Sequence, residues 1–127
     1  MTMERYTRQR SAIERVFNEA LRPMDPREIL DAARRYVPRT GIATVYRPIR
    51  SLIDEGQVVA VTLPGDTTRY EPAGREHHHH FQCRRCNKVF ELEGCSGDFG
   101  VATPPGFRLE DHEVFLYGRC DTCAVAT

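Results

Sequence analysis

The chain has 127 residues, of which 40% are hydrophobic and 28% charged, as is typical of a globular protein with one domain or two very small ones. No apolar run approaches the ~20 residues that a membrane helix needs, and residues 1–10 lack the apolar core of a signal peptide. We therefore expect a cytoplasmic protein with no membrane partner, in a compartment that keeps thiols reduced.

The formal net charge of zero conceals two parts of opposite sign. Residues 1–50 hold 11 arginines against six acidic residues, for a net charge of +5, so the remainder carries −5. A basic part joined to an acidic part indicates an anion-binding module attached to a cation-binding one. The alternative is that the arginines lie on solvated helix faces and bind nothing.

Two helices are predicted before residue 40. The first has apolar residues at the helical period and ends before Pro23. The second starts at Asp25, which forms a capping-box pattern with Glu28 and is followed by Pro26 at the first helical position. Pro38 ends it. The apolar faces comprise Ile13, Val16, Phe17, Ala20 and Leu21 in the first helix and Ile29, Leu30, Ala33 and Val37 in the second.

A third helix is predicted over residues 42–55, with Gly56 as its C-terminal cap. Its apolar stripe consists of Ile42, Val45, Ile49, Leu52 and Ile53. Pro48 lies past the start of this helix, where a proline removes a hydrogen bond and costs ~3 kcal/mol unless the helix bends. We therefore predict a kink between Thr44 and Pro48.

Two β-prone runs around a Pro-Gly-Asp turn at 64–66 predict a hairpin after the helices. Three helices and a hairpin form the winged helix-turn-helix pattern, which often places its last helix in a DNA major groove. Further on, short β-prone runs and a short helix near Asp98 predict a second, small α/β domain. The fold class is thus α+β, with a DNA-binding domain over 1–72, a hinge at 73–76 and a metal-binding domain over 77–127.

Two Cys-x-x-Cys pairs are the most specific signal in the chain. They are formed by Cys83, Cys86, Cys120 and Cys123. In a reducing compartment such pairs indicate metal rather than disulfides, and together they complete a tetrahedral four-thiolate zinc site. The alternatives are a redox-active pair or unrelated buried thiols. A catalytic zinc is disfavoured because four cysteines leave no open coordination position.

The second signal is a run of four histidines, His77–His80, inside the chain. On a strand, alternate side chains face opposite ways, so one run can supply two separate metal sites. One candidate site consists of Glu71, His78, His80 and Glu91. The other consists of His77, His79, Asp98 and His112. Mixed imidazole and carboxylate ligands suit Zn²⁺ or Fe²⁺, with Mn²⁺ also possible. The alternative is a solvated polar tract with incidental metal affinity.

Polar residues on the first and third helices are candidates for DNA contact. Arginine can pair with guanine or hold a phosphate, and tyrosine can touch a thymine methyl or a phosphate. The candidates are Arg8, Arg10, Thr44, Tyr46 and Arg47, with Arg50 on the same side of the third helix. The odd cysteine, Cys95, is either a small buried residue or a further metal ligand.

Several of these motifs resemble the ferric uptake regulator family. They are Thr7-Arg8-Gln9-Arg10, Gly41-Ile42-Ala43-Thr44-Val45-Tyr46-Arg47, Tyr70-Glu71, the histidine run with the first cysteine pair, Lys88-Val89, and His112 eight residues before Cys120. The resemblance covers nearly the whole chain. It implies a homodimer with an N-terminal winged helix and a C-terminal α/β dimerisation domain, and metal-dependent binding to a palindromic operator in double-stranded DNA that usually causes repression.

The resemblance also implies a role for each candidate residue. The four paired cysteines match structural zinc ligands. The site with Glu71 and Glu91 matches the family's regulatory site at the hinge, and the site with Asp98 and His112 matches its second site. Tyr46 and Arg47 match DNA-contacting positions.

Two positions depart from the family's pattern. Pro23 stands where many members have a histidine that joins the hinge site, which leaves Glu71 as the nearest link between that site and the DNA-binding domain. Pro48 stands where the family usually has threonine.

A rival hypothesis is a zinc hydrolase or deaminase, but the Pro-Cys-x-x-Cys element of deaminases is absent because Gln82 precedes Cys83. The other alternative is a metal-storage or metal-delivery protein that uses the histidine run. Such a protein would not need a winged helix. We therefore predict a DNA-binding regulator of metal-homeostasis genes that senses iron or zinc.

Overall fold

The computed structural model describes residues 3–74, 78–92, 97 and 99–125. The chain divides into two units, Met1–Arg75 and Glu76–Thr127. Parts of the predicted hinge, together with His77, Cys95 and Asp98, lie outside the described residues.

The N-terminal unit is built on three helices: α1 (Met3–Ala20), α2 (Pro26–Ala33) and α3 (Tyr46–Asp54). Their apolar faces meet in one core, as the helical periodicity predicted. The core contains Ile13, Val16, Phe17, Ile29, Leu30, Ala33, Val45, Ile49 and Leu52, all less than about a twentieth exposed.

The predicted capping box at the start of α2 is confirmed. The side chain of Asp25 accepts a hydrogen bond from the Glu28 N–H at 2.8 Å, and the Glu28 side chain accepts one from the Asp25 N–H at 3.3 Å. Pro26 occupies the first turn, where its missing N–H costs nothing. These contacts satisfy backbone donors that the helix itself cannot use.

Asp25→Ala should lower the free energy of unfolding by about 0.5–2 kcal/mol, because it removes the acceptor for the Glu28 N–H. Urea denaturation of the full chain measures the change. Asp31→Ala is the matched control, since Asp31 is exposed on the same helix, and should change stability by less than about 0.5 kcal/mol. Equal losses in the two variants would rule out the capping contact as the cause.

Two predictions for this region were wrong. Leu21 does not face the core: it follows α1 with a left-handed φ of 54° and is 54% exposed, because the helix ends one residue earlier. The second helix ends at Ala33 rather than near Pro38. Residues 34–37 continue as turns, with the Val37 N–H bonded to the Ala33 carbonyl at 2.9 Å.

The third helix is interrupted at Val45, within the region from Thr44 to Pro48 where a kink was predicted, and its predicted start at residue 42 is wrong because α3 begins at Tyr46. A 3₁₀ turn, Ile42–Thr44, precedes α3, and Pro48 lies in the first turn of α3. A first-turn proline loses no intrahelical bond, so the break removes the penalty that a continuous helix would carry. Ile42 consequently leaves the apolar stripe and is 39% exposed, contrary to prediction. Gly56 caps the other end with a φ of +76°.

The wing is a two-stranded antiparallel sheet of β1 (Val58–Val61) and β2 (Arg69–Pro72). The second of the two predicted β-prone runs covers residues 67–70, but the strand begins only at Arg69. Arg69 is 3% exposed and bonds Asp66 at 2.6 Å and Glu28 at 2.8 Å, which ties the wing to the start of α2. Such a buried charge is tolerated because both of its partners are carboxylates.

The C-terminal unit contains a three-stranded sheet with strand order β4-β3-β5. The strands are β3 (His79–Cys83), β4 (Val89–Leu92) and β5 (Phe115–Gly118). Two short helices accompany them: α4 (Phe99–Ala102) lies between β4 and β5, and α5 (Asp121–Val125) follows β5. β3 pairs antiparallel with β4 and parallel with β5. The predicted α+β class is confirmed.

Within the described residues, no helix has the length and apolar character to cross a bilayer.

Candidate metal centres and nucleic-acid interface

Four cysteines converge at one edge of the C-terminal sheet. Cys83 ends β3 and Cys86 lies in the turn to β4, while Cys120 and Cys123 follow β5. Because β3 and β5 are parallel neighbours, with Cys83 opposite Gly118, their ends lie side by side. The four sulfur atoms all lie within 4.8 Å of one another.

The spacing of these sulfur atoms fits a tetrahedral zinc ion. Zn–S bonds of about 2.3 Å place the ligand sulfurs about 3.8 Å apart. The Sγ atoms of Cys86 and Cys120 are 3.9 Å apart, and all four cysteines are free thiols. The cluster therefore suits a structural zinc ion. Four thiolates would leave no coordination position for a reacting water.

Backbone N–H groups favour negative charge in the cluster. The Cys86 N–H donates to the Sγ of Cys83 at 3.4 Å and, with the Cys120 N–H, lowers the pKa of the Cys83 thiol to about 6. Partial desolvation of its thiol raises the pKa of Cys86, although the residue is exposed, and the hydrogen bond with Cys120 raises the pKa of Cys123 to about 12. One thiolate is thus favoured, whereas further thiolates need a cation beside them.

Three residues of the predicted regulatory site lie together on one face of the C-terminal sheet. His80 on β3 pairs in register with Glu91 on β4. The ring centroids of His78 and His80 are 4.9 Å apart, and His78 Nε2 lies 3.7 Å from Glu91 Oε1. The expected alternation along the histidine strand is confirmed, since His79 faces the other way and lies 5.0 Å from His112 between ring centroids.

The fourth residue of that predicted set, Glu71, belongs to the N-terminal unit. It lies on β2 and is 2% exposed. Pro23 is fully buried in the loop between α1 and α2, and the next residue, Met24, forms a β-bridge with Tyr70. The loop that carries Pro23 is therefore fixed to the strand that carries Glu71.

For the predicted second site, the structure describes His79 and His112, whereas His77 and Asp98 lie outside the described residues. The Nδ1 atom of His79 accepts a hydrogen bond from the Val114 N–H at 3.0 Å. In neutral histidine the proton then resides on Nε2. An ion held through Nε2 would require the proton to move to Nδ1, which would break this hydrogen bond.

The start of α3 presents polar side chains to solvent. Tyr46 is 52% exposed, and Arg47 and Arg50 are exposed as well. Arg50 forms an exposed ion pair with Asp54 at 3.4 Å, which contributes little to stability. Arg8 is exposed on α1. These side chains can reach a ligand without disturbing the core.

Two other predicted DNA-contacting residues have partners inside the unit. Arg10 donates from three nitrogens, to Glu14 at 2.9 Å, to Ser51 at 2.6 Å and to Glu55 at 2.7 Å, and so joins α1 to α3. The Thr44 hydroxyl donates to the Gly41 carbonyl at 2.8 Å and stabilises the 3₁₀ turn. Both contacts give these residues a structural role.

One contact of α3 was not predicted from the sequence. The guanidinium carbon of Arg47 lies 4.2 Å from the ring centroid of Tyr6 on α1. The residues are 41 positions apart, so the contact depends on how α1 packs against α3. No local motif indicates it.

The chain combines a winged helix, whose third helix carries exposed arginines, with an α/β unit that contains a thiol cluster and a histidine cluster. This combination defines a class of protein. This class is the DNA-binding regulators that also bind metal ions.

The comparisons with known proteins identify the family within this class. The model of the ferric uptake regulator family matches residues 2–117, so the chain belongs to that family. Transcriptional regulator FurA of Mycobacterium bovis is 30% identical over 125 residues, with 96% of this chain and 84% of the relative covered. Members are transcription regulators that bind metals and DNA and are not enzymes.

Solved structures agree with this assignment. A zinc-bound manganese uptake regulator has a TM-score of 0.78 at 28% identity, covering 94% of this chain and 89% of that chain. The Helicobacter pylori ferric uptake regulator, described as having three functional metal-binding sites, has a TM-score of 0.65 at 26% identity, covering 91% and 79%.

Proposed function

We propose that the chain is a metal-dependent, DNA-binding repressor of metal-homeostasis genes that senses iron or zinc. The observation that carries the proposal is the presence of two different metal-ligand clusters in a chain that also has an exposed basic helix. The thiol cluster suits a permanent zinc ion. The histidine cluster suits an ion that binds and leaves.

On the DNA side, α3 would enter a major groove with Tyr46 and Arg47 at the base edges or the nearest phosphates. Arg8 would hold the phosphate backbone from α1. Arg10 and Thr44 would support these contacts indirectly, because their polar groups are engaged inside the unit. A free arginine is needed for bidentate contact with guanine, and this requirement favours Arg47 over Arg10.

On the metal side, we assign Glu71, His78, His80 and Glu91 to the regulatory site. Two imidazoles and two carboxylates form a ligand set that accepts Zn²⁺ or Fe²⁺, with Mn²⁺ possible. Ligands contributed by both units would restrict the hinge between them. Because proline has no side-chain donor atom, Pro23 cannot supply a ligand, so Glu71 would carry the link to the DNA-binding unit alone.

A second site would consist of His77, His79, Asp98 and His112. The hydrogen bond from Val114 to Nδ1 of His79 competes with metal binding through Nε2 of that histidine. We expect this site to bind more weakly than the regulatory site.

As a homodimer, the protein would bind a palindromic operator, with half-sites spaced ~34 Å apart or a multiple of that distance. Such a protein works in the cytoplasm, where its DNA is. Restricting the hinge would raise the fraction of molecules with the correct spacing, and the operator affinity would rise with that fraction.

Fluorescence anisotropy with a labelled duplex from the region upstream of the gene tests the function. Protein is titrated with chelator present and then with Zn²⁺, Fe²⁺ or Mn²⁺, at two salt concentrations and against a scrambled duplex. Metal-dependent, sequence-preferring and salt-sensitive binding is expected. Binding that ignores both metal and sequence would contradict the proposal and favour metal storage or delivery.

A further inference from the structure

Helices α1 and α3 contact each other through residues with matching spacing. On α1, Tyr6 and Arg10 are four residues apart, and on α3 their partners Arg47 and Ser51 are also four apart. Glu55, one further turn along, accepts a second bond from Arg10 at 2.7 Å. Residues at this spacing lie on one helix face, so the two helices are joined by successive contacts along a single line.

The Arg10 contacts, four residues further along each helix, are hydrogen bonds from the guanidinium group to Ser51 and Glu55. Hydrogen bonds from Arg10 lower the pKa of Glu55, as expected of a carboxylate held by a guanidinium. The Tyr6 contact is different, because its partner Arg47 lies at the start of α3, where the proposed function places the DNA.

The side chain of Arg47 is exposed and, among the residues that the structure describes, forms no hydrogen bond or ion pair that would hold it. Its contact is with the Tyr6 ring, at 4.2 Å from guanidinium carbon to ring centroid. A cation–π contact uses the faces of the two groups. The N–H donors at the guanidinium edge therefore stay available for a base edge or a phosphate.

We propose that Tyr6 is a positioning residue for DNA recognition, whose ring on α1 holds the guanidinium group of Arg47 before DNA arrives. The inference rests on the proposed function, in which Arg47 contacts the operator. Ordering a long side chain on binding weakens an interface, and a side chain that is already ordered avoids much of that cost. Tyr6 thus raises the operator affinity without having to touch the DNA.

Operator affinity of the full-length, Zn²⁺-saturated protein tests the inference, measured by anisotropy with the labelled upstream duplex. Tyr6→Leu should lose about 2- to 12-fold in affinity, the range expected for immobilising one long side chain. Tyr6→Phe keeps the ring and should stay within about 2-fold of the parent. Tyr6→Met, a second non-aromatic side chain of high helix propensity, should behave like Tyr6→Leu.

A double-mutant cycle with Arg47→Ala separates positioning from a general structural effect. With Arg47 removed, Tyr6→Leu should cause no further loss. Equal losses from Tyr6→Leu in the two backgrounds, or a Tyr6→Phe variant as weak as Tyr6→Leu, would overturn the inference. If Arg47→Ala itself loses no affinity, the proposed DNA contact is wrong. If Arg47→Ala weakens binding and Tyr6→Leu does not, only the positioning role fails.

Discussion

Cys86→Ser is expected to abolish tight zinc binding and to unfold the C-terminal unit. Cys86 is the best position for this test because it is exposed, so its replacement leaves no cavity in the sheet. Structural zinc sites in small domains have apparent binding free energies of about 10–16 kcal/mol at neutral pH. That exceeds the stability a unit of only about 50 residues can obtain from its apolar core.

Zinc content after gel filtration in chelator and hydrogen exchange of the sheet amides measure the effect. The helices of the N-terminal unit should keep their protection, because their core contains no metal ligand. Thr122→Ala is the matched control, since Thr122 is exposed between the cysteines of the second pair and should leave both readouts unchanged. If the Cys86→Ser protein keeps one zinc ion and full hydrogen-exchange protection in β3–β5, the thiol cluster is not what stabilises this unit.

The double variant His78→Ala/His80→Ala is expected to lose the metal-dependent part of DNA binding and to keep its dimer and its structural zinc. Both histidines lie on one face beside Glu91, and neither of them belongs to the thiol cluster. The coupling free energy between an effector site and a second site is typically about 1–3 kcal/mol. The parent protein should therefore gain about 5- to 150-fold in operator affinity when metal binds, and the double variant should lose this gain.

Anisotropy with and without added Zn²⁺ measures this loss, and gel filtration with zinc analysis verifies the assembly. Gln82→Ala, two positions along the same strand face, is the matched control and should respond to metal like the parent. If the operator affinity of the double variant still rises with metal, the histidine cluster is not the regulatory metal site.

Local patterns predicted much of the fold and of the metal centres. The capping box and Pro26 needed only four adjacent residues to mark the start of α2. The Cys-x-x-Cys spacing predicted the thiol cluster because two pairs can share one tetrahedral ion. Strand alternation separated His79 from His80 for the same kind of reason, since it depends only on the backbone period.

What could not be predicted depended on packing between distant segments. Arg10 had the charge and the position of a phosphate-binding residue, but Ser51 and Glu55 engage it once α1 lies against α3. The Tyr6–Arg47 contact arises in the same way. Ile42 fitted the helical period and still became exposed, because the break before α3 changed the phase of the stripe.

In the proposed function, one ion at the histidine cluster is coupled to DNA binding. If the coupling exists, DNA must raise the affinity for that ion by the same factor by which the ion raises the affinity for DNA. Zn²⁺ is titrated calorimetrically into protein that already holds its structural zinc, first alone and then with the upstream duplex bound. We expect equal factors in the two directions, and a metal affinity that DNA leaves unchanged would contradict the coupling.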